Sequence, residues 1–312
     1  MIRLVSGHDE VILTVQKELE GGLPPNSVTG LATRLGELAI GIPQRVPILF
    51  SGARLFRVRK MEAKPHAVHE VGAPPVGVAS IGRLNEQGQR ILYVADSPAT
   101  AFAEARSAPG DYCLSEWNVN VAKLALANGG LTSEMLSERF PEIVGDSGVA
   151  VAGVEEERVL RLFRQIYTLS VTDDGRLYRW SIACGLANGF AHMLERTETK
   201  EVDGSTEWEG RYPFSGLAYP SVRTGRPSVN YALNDVGMTK VDLKQIQWTR
   251  LSANGSYTRL DFADAWERDG AIKWLNRPAN VLLDPGQAAR ATKMAEAIWE
   301  FEMLDGSVPR FG

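Results

Sequence analysis

Residues 90–106, RILYVADSPATAFAEAR, change character halfway along. The first six, Arg90 to Ala95, form an apolar run of strand length. Asp96-Ser97-Pro98 then reads as a helix start. Ser97 suits the N-cap, where a hydroxyl accepts an otherwise orphaned amide, and Pro98 suits the first helical position, where its missing N–H costs nothing. The alanines that follow favour helix and carry Glu104 on it.

Outward from this stretch, strands and helices mix without strict alternation. Upstream, Ile48 to Val58 (ILFSGARLFRV) is strand-like with a break at Ser51-Gly52, followed by a Pro/Gly/His-rich loop through Gly77. Downstream, Trp117, Val119 and Val121 alternate with Asn118 and Asn120, the period-two pattern of a half-buried strand. Helices are expected over 9–20, 131–139, 154–168 and 178–195. In the third, Leu160, Phe163 and Tyr167 share a stripe; in the fourth, Ala183, Leu186, Phe190 and Leu194 face a core. GLAYPSV at 216–222 is strand-like, and Gly286 to Leu304 is helical. This order predicts an α+β fold with a mixed sheet and flanking helices rather than a doubly wound one.

Composition narrows the function classes. The chain has 312 residues, 44% hydrophobic and 23% charged, which suits one large globular domain with elaborations. A formal charge of -4 and no Lys/Arg block argue against holding nucleic acid through its phosphates. Two cysteines, Cys113 and Cys184, make no disulfide framework and read as buried free thiols. No secretory signal and no apolar run of about eighteen residues is visible, so a cytoplasmic protein with no membrane partner is expected.

The common catalytic strings are missing: no phosphate loop, no GxGxxG after a strand, no GxSxG elbow. HAVHE, with His66, His69 and Glu70, matches no zinc pattern and reads as loop polarity, so no metal is expected. What remains is a set of polar residues inside apolar segments: Arg57 in LFRVR, Gly82-Arg83 in GRLN, Tyr93 in ILYVA, Glu104 on the alanine-rich helix, and Ser221 and Arg223 in YPSVR. Singly, each has a plain structural reading. Arg57 alternates outward from a strand, Arg83 sits in a turn, Tyr93 is core with its hydroxyl tied to backbone, Glu104 is a solvated helix face, and Ser221 shapes a turn.

As a series, LFRVR … GRLN … LYVADSPATAFAEA … YPSVR resembles the RES domain family, over roughly residues 50–240. Arg57, Glu104 and Ser221 fall on the three residues that name the family, Arg83 on the arginine of its GR-F/L-N stretch, and Tyr93 on the tyrosine of its LY-A strand. Tyr178 and Ser181, ahead of the YPS strand, fit the same series. The resemblance implies an ADP-ribosyltransferase-like core and an NAD⁺-degrading toxin with an antitoxin protein as partner. It divides the chain into an N-terminal helical extension (1–45), a catalytic domain (46–240) and a C-terminal segment packed on it (241–312). Compact members lack the extension and have a shorter stretch between Glu104 and Ser221, which makes 126–170 a helical insertion here.

The chemistry implied is cleavage of the nicotinamide–ribose bond, by hydrolysis or phosphorolysis. Nicotinamide in NAD⁺ is already cationic and departs neutral, so the carboxylate pair of glycoside hydrolysis reduces to one. Glu104 would bind the ribose hydroxyls and stabilise the ribosyl cation. Arg57 and Arg83 would grip the pyrophosphate, with Arg223 a weaker phosphate contact. Gly82 would admit the ligand close to backbone. Tyr93 would stack on nicotinamide or its ribose, and Ser221 would orient the ribose or carboxamide. No cofactor beyond NAD⁺ as substrate is implied. The alternatives are ADP-ribose transfer to a protein or small molecule from the same site, and a non-catalytic nucleotide-binding module.

Overall fold

Ser97 caps its helix as the sequence predicts: its Oγ accepts from the Thr100 amide at 3.2 Å, with Pro98 in the first turn. In the computed structural model of the chain, the described residues are 5–21, 26–39, 47–105, 108–139, 154–169, 178–187, 200–202, 205–207, 214–221, 224, 228–252 and 257–281. The elements, in chain order, are α1 (Val5–Glu20), α2 (Val28–Ala39), β1 (Ile48–Phe50), β2 (Arg54–Lys60), β3 (Leu92–Ala95), α3 (Pro98–Glu104), β4 (Gly110–Val119), β5 (Lys123–Ala125), β6 (Ala127–Asn128), α4 (Ser133–Arg139), α5 (Val154–Tyr167), α6 (Tyr178–Ala187), β7 (Lys200–Val202), β8 (Ser205–Glu207), β9 (Gly216–Pro220), β10 (Val229–Leu233), α7 (Asp235–Met238), β11 (Val241–Leu251), β12 (Tyr257–Ala263) and β13 (Ala279–Val281).

The fold is α+β. Nine strands join one sheet in the order β13-β12-β11-β4-β2-β3-β10-β9-β6, antiparallel throughout except for the parallel β6–β9 pair. Among the described residues β1 pairs with β5 alone, so ILFSGARLFRV is two strands of different sheets, parted by a turn in which Gly52 takes φ 85°. That left-handed value is the conformation glycine reaches without a Cβ clash.

β4 extends the expected strand back to Gly110. Its residues Tyr112 to Glu116 are buried on both faces, which erases the polar half of the alternation there. The segment after 240 supplies β11, which pairs with β4 from Val241 to Leu251, so residues on both sides of that point share the sheet. The expected helix over 178–195 is described as far as Ala187, and the expected helix at 286–304 lies outside the described residues.

A helical layer packs on one part of the sheet. Val15, Leu31 and Leu35 of α1 and α2 join Leu162, Phe163, Ile166 and Tyr167 of α5, Trp180 and Cys184 of α6, and Leu217 and Tyr219 of β9 in one cluster. The stripe of Leu160, Phe163 and Tyr167 is buried as expected. Gly130, at φ 89°, lets α5 lie directly on the chain: a Cβ there would sit 2.3 Å from the Arg164 nitrogen. Cys113 and Cys184 are buried free thiols in separate clusters. Among the described residues no helix is long and apolar enough to cross a membrane.

Candidate functional site

β2 pairs with β4 along its whole length, from Arg54 to Lys60, but meets β3 through a single residue pair, Phe56 with Ala95. Past that rung the ladder stops, and Arg57 Nη1 donates instead to the Tyr93 carbonyl at 3.0 Å. A cavity of about 180 Å³ opens at this split. Strand register builds its floor. Phe56 opposes Ala95, Ala95 opposes Asn230, and Asn230 opposes Tyr219, so these four side chains stand in one row on the same face. Ala101 and Glu104 of α3 cover that row, and all six line the cavity.

Asp96 fixes where α3 begins. Its Oδ1 accepts from Thr100 Oγ1 and its Oδ2 from the Val229 amide, each at 2.8 Å, which ties the helix start to β10. The last residue of α3, Glu104, is then gripped from β10 and from the end of β9. Ser221 Oγ donates to Glu104 Oε1 at 2.5 Å, and Asn230 Nδ2 donates to the same oxygen at 2.9 Å. Ser221 follows β9 directly, and its amide donates to the Ser228 carbonyl, just before β10, at 2.8 Å.

Among the described residues, Arg57 carries the positive charge of the cavity lining. Burial, and then repulsion from Arg59, lower its pKa to about 10, which leaves it charged at neutral pH. Its Nε is buried without a hydrogen-bond partner among the described residues. A desolvated cation with an unmet donor favours an anionic ligand. Burial also pushes the Tyr93 and Tyr219 hydroxyls above their ordinary range, in Tyr219 with the Glu104 charge adding to it, so both stay protonated.

The structure thus brings together Arg57, Tyr93 and Glu104 on the cavity lining, with Ser221 bonded to Glu104. It also gives Tyr93 and Arg83 structural partners. Tyr93 donates its hydroxyl to Asn85 Oδ1 and accepts from the Leu84 amide, each at 2.8 Å, so the hydroxyl anchors the GRLN turn as the plain reading held. Gly82 is small because of that same anchor: a Cβ would lie 2.4 Å from Asn85 Oδ1 and 3.2 Å from the Tyr93 hydroxyl oxygen. Arg83 is not in the cavity lining. Its Nη1 donates to the Tyr167 and Leu169 carbonyls at the end of α5, and its guanidinium lies 5.6 Å from the Tyr178 ring centre. A cation at a helix C-terminus is favoured by the unpaired carbonyls there. Arg223 lies outside the described residues. Glu70 of HAVHE accepts from the His66 and Ala67 amides at 2.9 and 2.8 Å, which closes a 3-10 turn.

Asn230 and Tyr219 are the polar-tipped lining residues that the sequence does not single out. Asn230 is a polar residue inside an apolar run, the same signal that singled out Tyr93. The signal is weaker there because VNYAL, buried on both faces, carries no alternation that marks it as a strand. No protein-family model matches the chain, and no curated protein matches it. Among solved structures it is similar to a chain of the M. tuberculosis MbcT-MbcA toxin-antitoxin complex, at 15% identity and a TM-score of 0.32, over 85% of this chain and 97% of that one.

Proposed function

We propose that this chain cleaves the nicotinamide–ribose bond of NAD⁺ and acts as the toxin of a toxin–antitoxin pair. The observation that carries the reaction is the cavity lining, in which, among the described residues, Glu104 is the one carboxylate, Arg57 the one cation, and no histidine is present. One carboxylate without an acid partner suits a leaving group that departs neutral and needs no proton. Held at Oε1, the Glu104 charge stabilises the ribosyl cation in a setting where no solvent needs to reorganise. The toxin role and its antitoxin partner are supported by the sequence resemblance to the RES family.

The cavity volume, about 180 Å³, falls below the ~300 Å³ at which drug-sized ligand pockets begin. It therefore receives the nicotinamide-riboside end of the dinucleotide, with the rest outside it. In this reading Arg57 is the first phosphate contact, its unmet Nε being the group an anion satisfies. Arg83 braces the wall through α5. Ser221, whose hydroxyl proton already goes to Glu104, orients that carboxylate in place of the ribose. Tyr93 offers its ring, since its hydroxyl is engaged.

The test is nicotinamide release from NAD⁺ by the wild type, Glu104→Ala and Glu104→Gln. Loss of a charge-stabilising group predicts a fall in kcat of about 10²–10³-fold in both. Full activity in both overturns the assignment. Mass spectrometry of the products separates free ADP-ribose from ADP-ribose phosphate and from ADP-ribosylated protein, which distinguishes hydrolysis, phosphorolysis and transfer.

A further inference from the structure

An asparagine is an unusual residue for the middle of a strand buried on both faces. Asn230 is 3% exposed, and its neighbours on the floor of the cavity are Ala95 on β3 and Tyr219 on β9. A buried amide is costly unless its polar atoms are matched, and the Asn230 donor is matched by Glu104 Oε1 at 2.9 Å. Register leaves it no other place. Asn230 opposes Ala95, and the short Ala95 side chain keeps the row open beneath the last turn of α3.

The choice of residue type carries information. A lysine or arginine at this position would neutralise Glu104 by ion pairing. A serine is too short to span from the strand. An asparagine amide is neutral and donates at any pH, so it holds a carboxylate in place and leaves its charge intact. The assignment of nitrogen rather than oxygen toward Glu104 follows from the same need, since a carboxylate only accepts. Ser221 reaches the same oxygen from the end of β9, so two donors from different strands converge on Oε1. Convergence fixes the torsion about the carboxylate, which one donor alone leaves to swing.

We propose that Asn230 is a positioning residue for the reaction: acting through Glu104, it sets the carboxylate's rotation so that the negative charge meets the ribosyl centre. The role rests on the NAD⁺-cleavage reading above. An interaction that matters only as charge develops lowers kcat when it is lost and leaves KM little changed.

The experiment is steady-state nicotinamide release by Asn230→Ala and Asn230→Asp, each alone and in the Glu104→Gln background, with thermal melting of every variant. Aspartate keeps the shape of asparagine but cannot donate when ionised and repels Glu104. We expect kcat to fall about 10- to 100-fold in both single variants, the range of one charge-assisted hydrogen bond, with KM within about twofold of wild type. In the Glu104→Gln background neither substitution lowers kcat further, because the residue acts through Glu104. If Asn230→Asp keeps wild-type kcat while Asn230→Ala loses both kcat and thermal stability, the side chain only fills space and the proposal is overturned. It is equally overturned if Asn230→Ala costs the same factor with and without the Glu104 carboxylate, which marks a direct substrate contact. Should Asn230→Asp fail to fold, Asn230→Ala carries the comparison between backgrounds by itself. A wild-type protein that releases no nicotinamide overturns the reaction and this role together; wild-type release with an unimpaired Asn230→Asp overturns the role alone.

Discussion

Asp261 shows how one buried carboxylate organises a loop. It is 4% exposed and accepts from Lys64 Nζ at 2.5 Å, from the Phe262 amide at 2.7 Å and from the Arg277 amide at 3.2 Å. Burial pushes its pKa up, but these donors outweigh burial and hold the carboxyl below its ordinary value of 3.8. The sign follows from linkage: a depressed folded pKa gives stability that is present above about pH 4 and is lost as pH falls through the lower folded value. Asp261→Asn is expected to cost about 1–3 kcal/mol at neutral pH and to flatten the acid limb of the stability profile below pH ~4. Urea melts of both proteins across that range measure it, and an unchanged acid limb contradicts it. The same scale accounts for what single residues revealed in the sequence. Ser97 and Pro98 were legible because capping is local chemistry. The partner of Tyr93's hydroxyl was not, because Asn85 becomes its neighbour only when the GRLN turn folds back.

At the scale of elements, β3, α3 and β9 could be read because each carries its own local signature. β10 and β11 could not. β10 is buried at every position from Val229 to Leu233, so no alternation of exposed and buried positions marks its period, and the one polar side chain, Asn230, is as buried as the rest. In β11 the apolar residues fall at Val241 and Leu243, then at Ile246 and Trp248, then at Leu251. The phase slips twice; the first slip matches a bulge in β11 itself, where Lys244 is the extra residue against β4, whereas the shift between Trp248 and Thr249 has its extra residue, Leu260, on β12. A bulge adds a residue to one strand and so inverts the alternation after it. The elements also set the size of the cavity, through the alanine that β3 supplies to its floor. Ala95→Leu adds three carbons at a site 2% exposed, between Phe56 and Asn230. We expect a stability loss of about 1–3 kcal/mol from overpacking and at least tenfold (roughly 1.4 kcal/mol) weaker NAD⁺ binding. Calorimetric titration with NAD⁺ checks it; unweakened binding in a folded variant would place the ligand elsewhere.

Over the whole molecule, the two cysteines report on the sheet and on the helical layer separately. Cys113 sits on β4 with Val71, Ile246 and Trp248, and Cys184 on α6 with the α1–α2–α5 cluster. Burial pushes the Cys113 thiol up to about 12 and the Cys184 thiol higher still, so neither is a nucleophile at pH 8. Alkylation by iodoacetamide is therefore expected only on unfolding, at one common urea midpoint if layer and sheet unfold together, and separate midpoints would show two cooperative units. The overall class was legible from the order of strands and helices, whereas the single-pair junction of β2 with β3 was not, since it depends on which strands become neighbours. That junction has a mechanical meaning. Shearing β4 from β11 breaks a ladder running from Val241 to Leu251. Opening β2 from β3 parts one residue pair and the Arg57–Tyr93 bond, with Leu55, Leu92 and Val94 packed across it and α3 spanning it through Ala101 and Phe102 against Phe56 and Tyr112. The sheet is creased there, and a ligand touching Arg57 on one leaf and Glu104 on the other stiffens the crease. The conformational entropy lost in that stiffening opposes binding, so the ligands held best are rigid ones that bring strong charge-assisted contacts to both leaves.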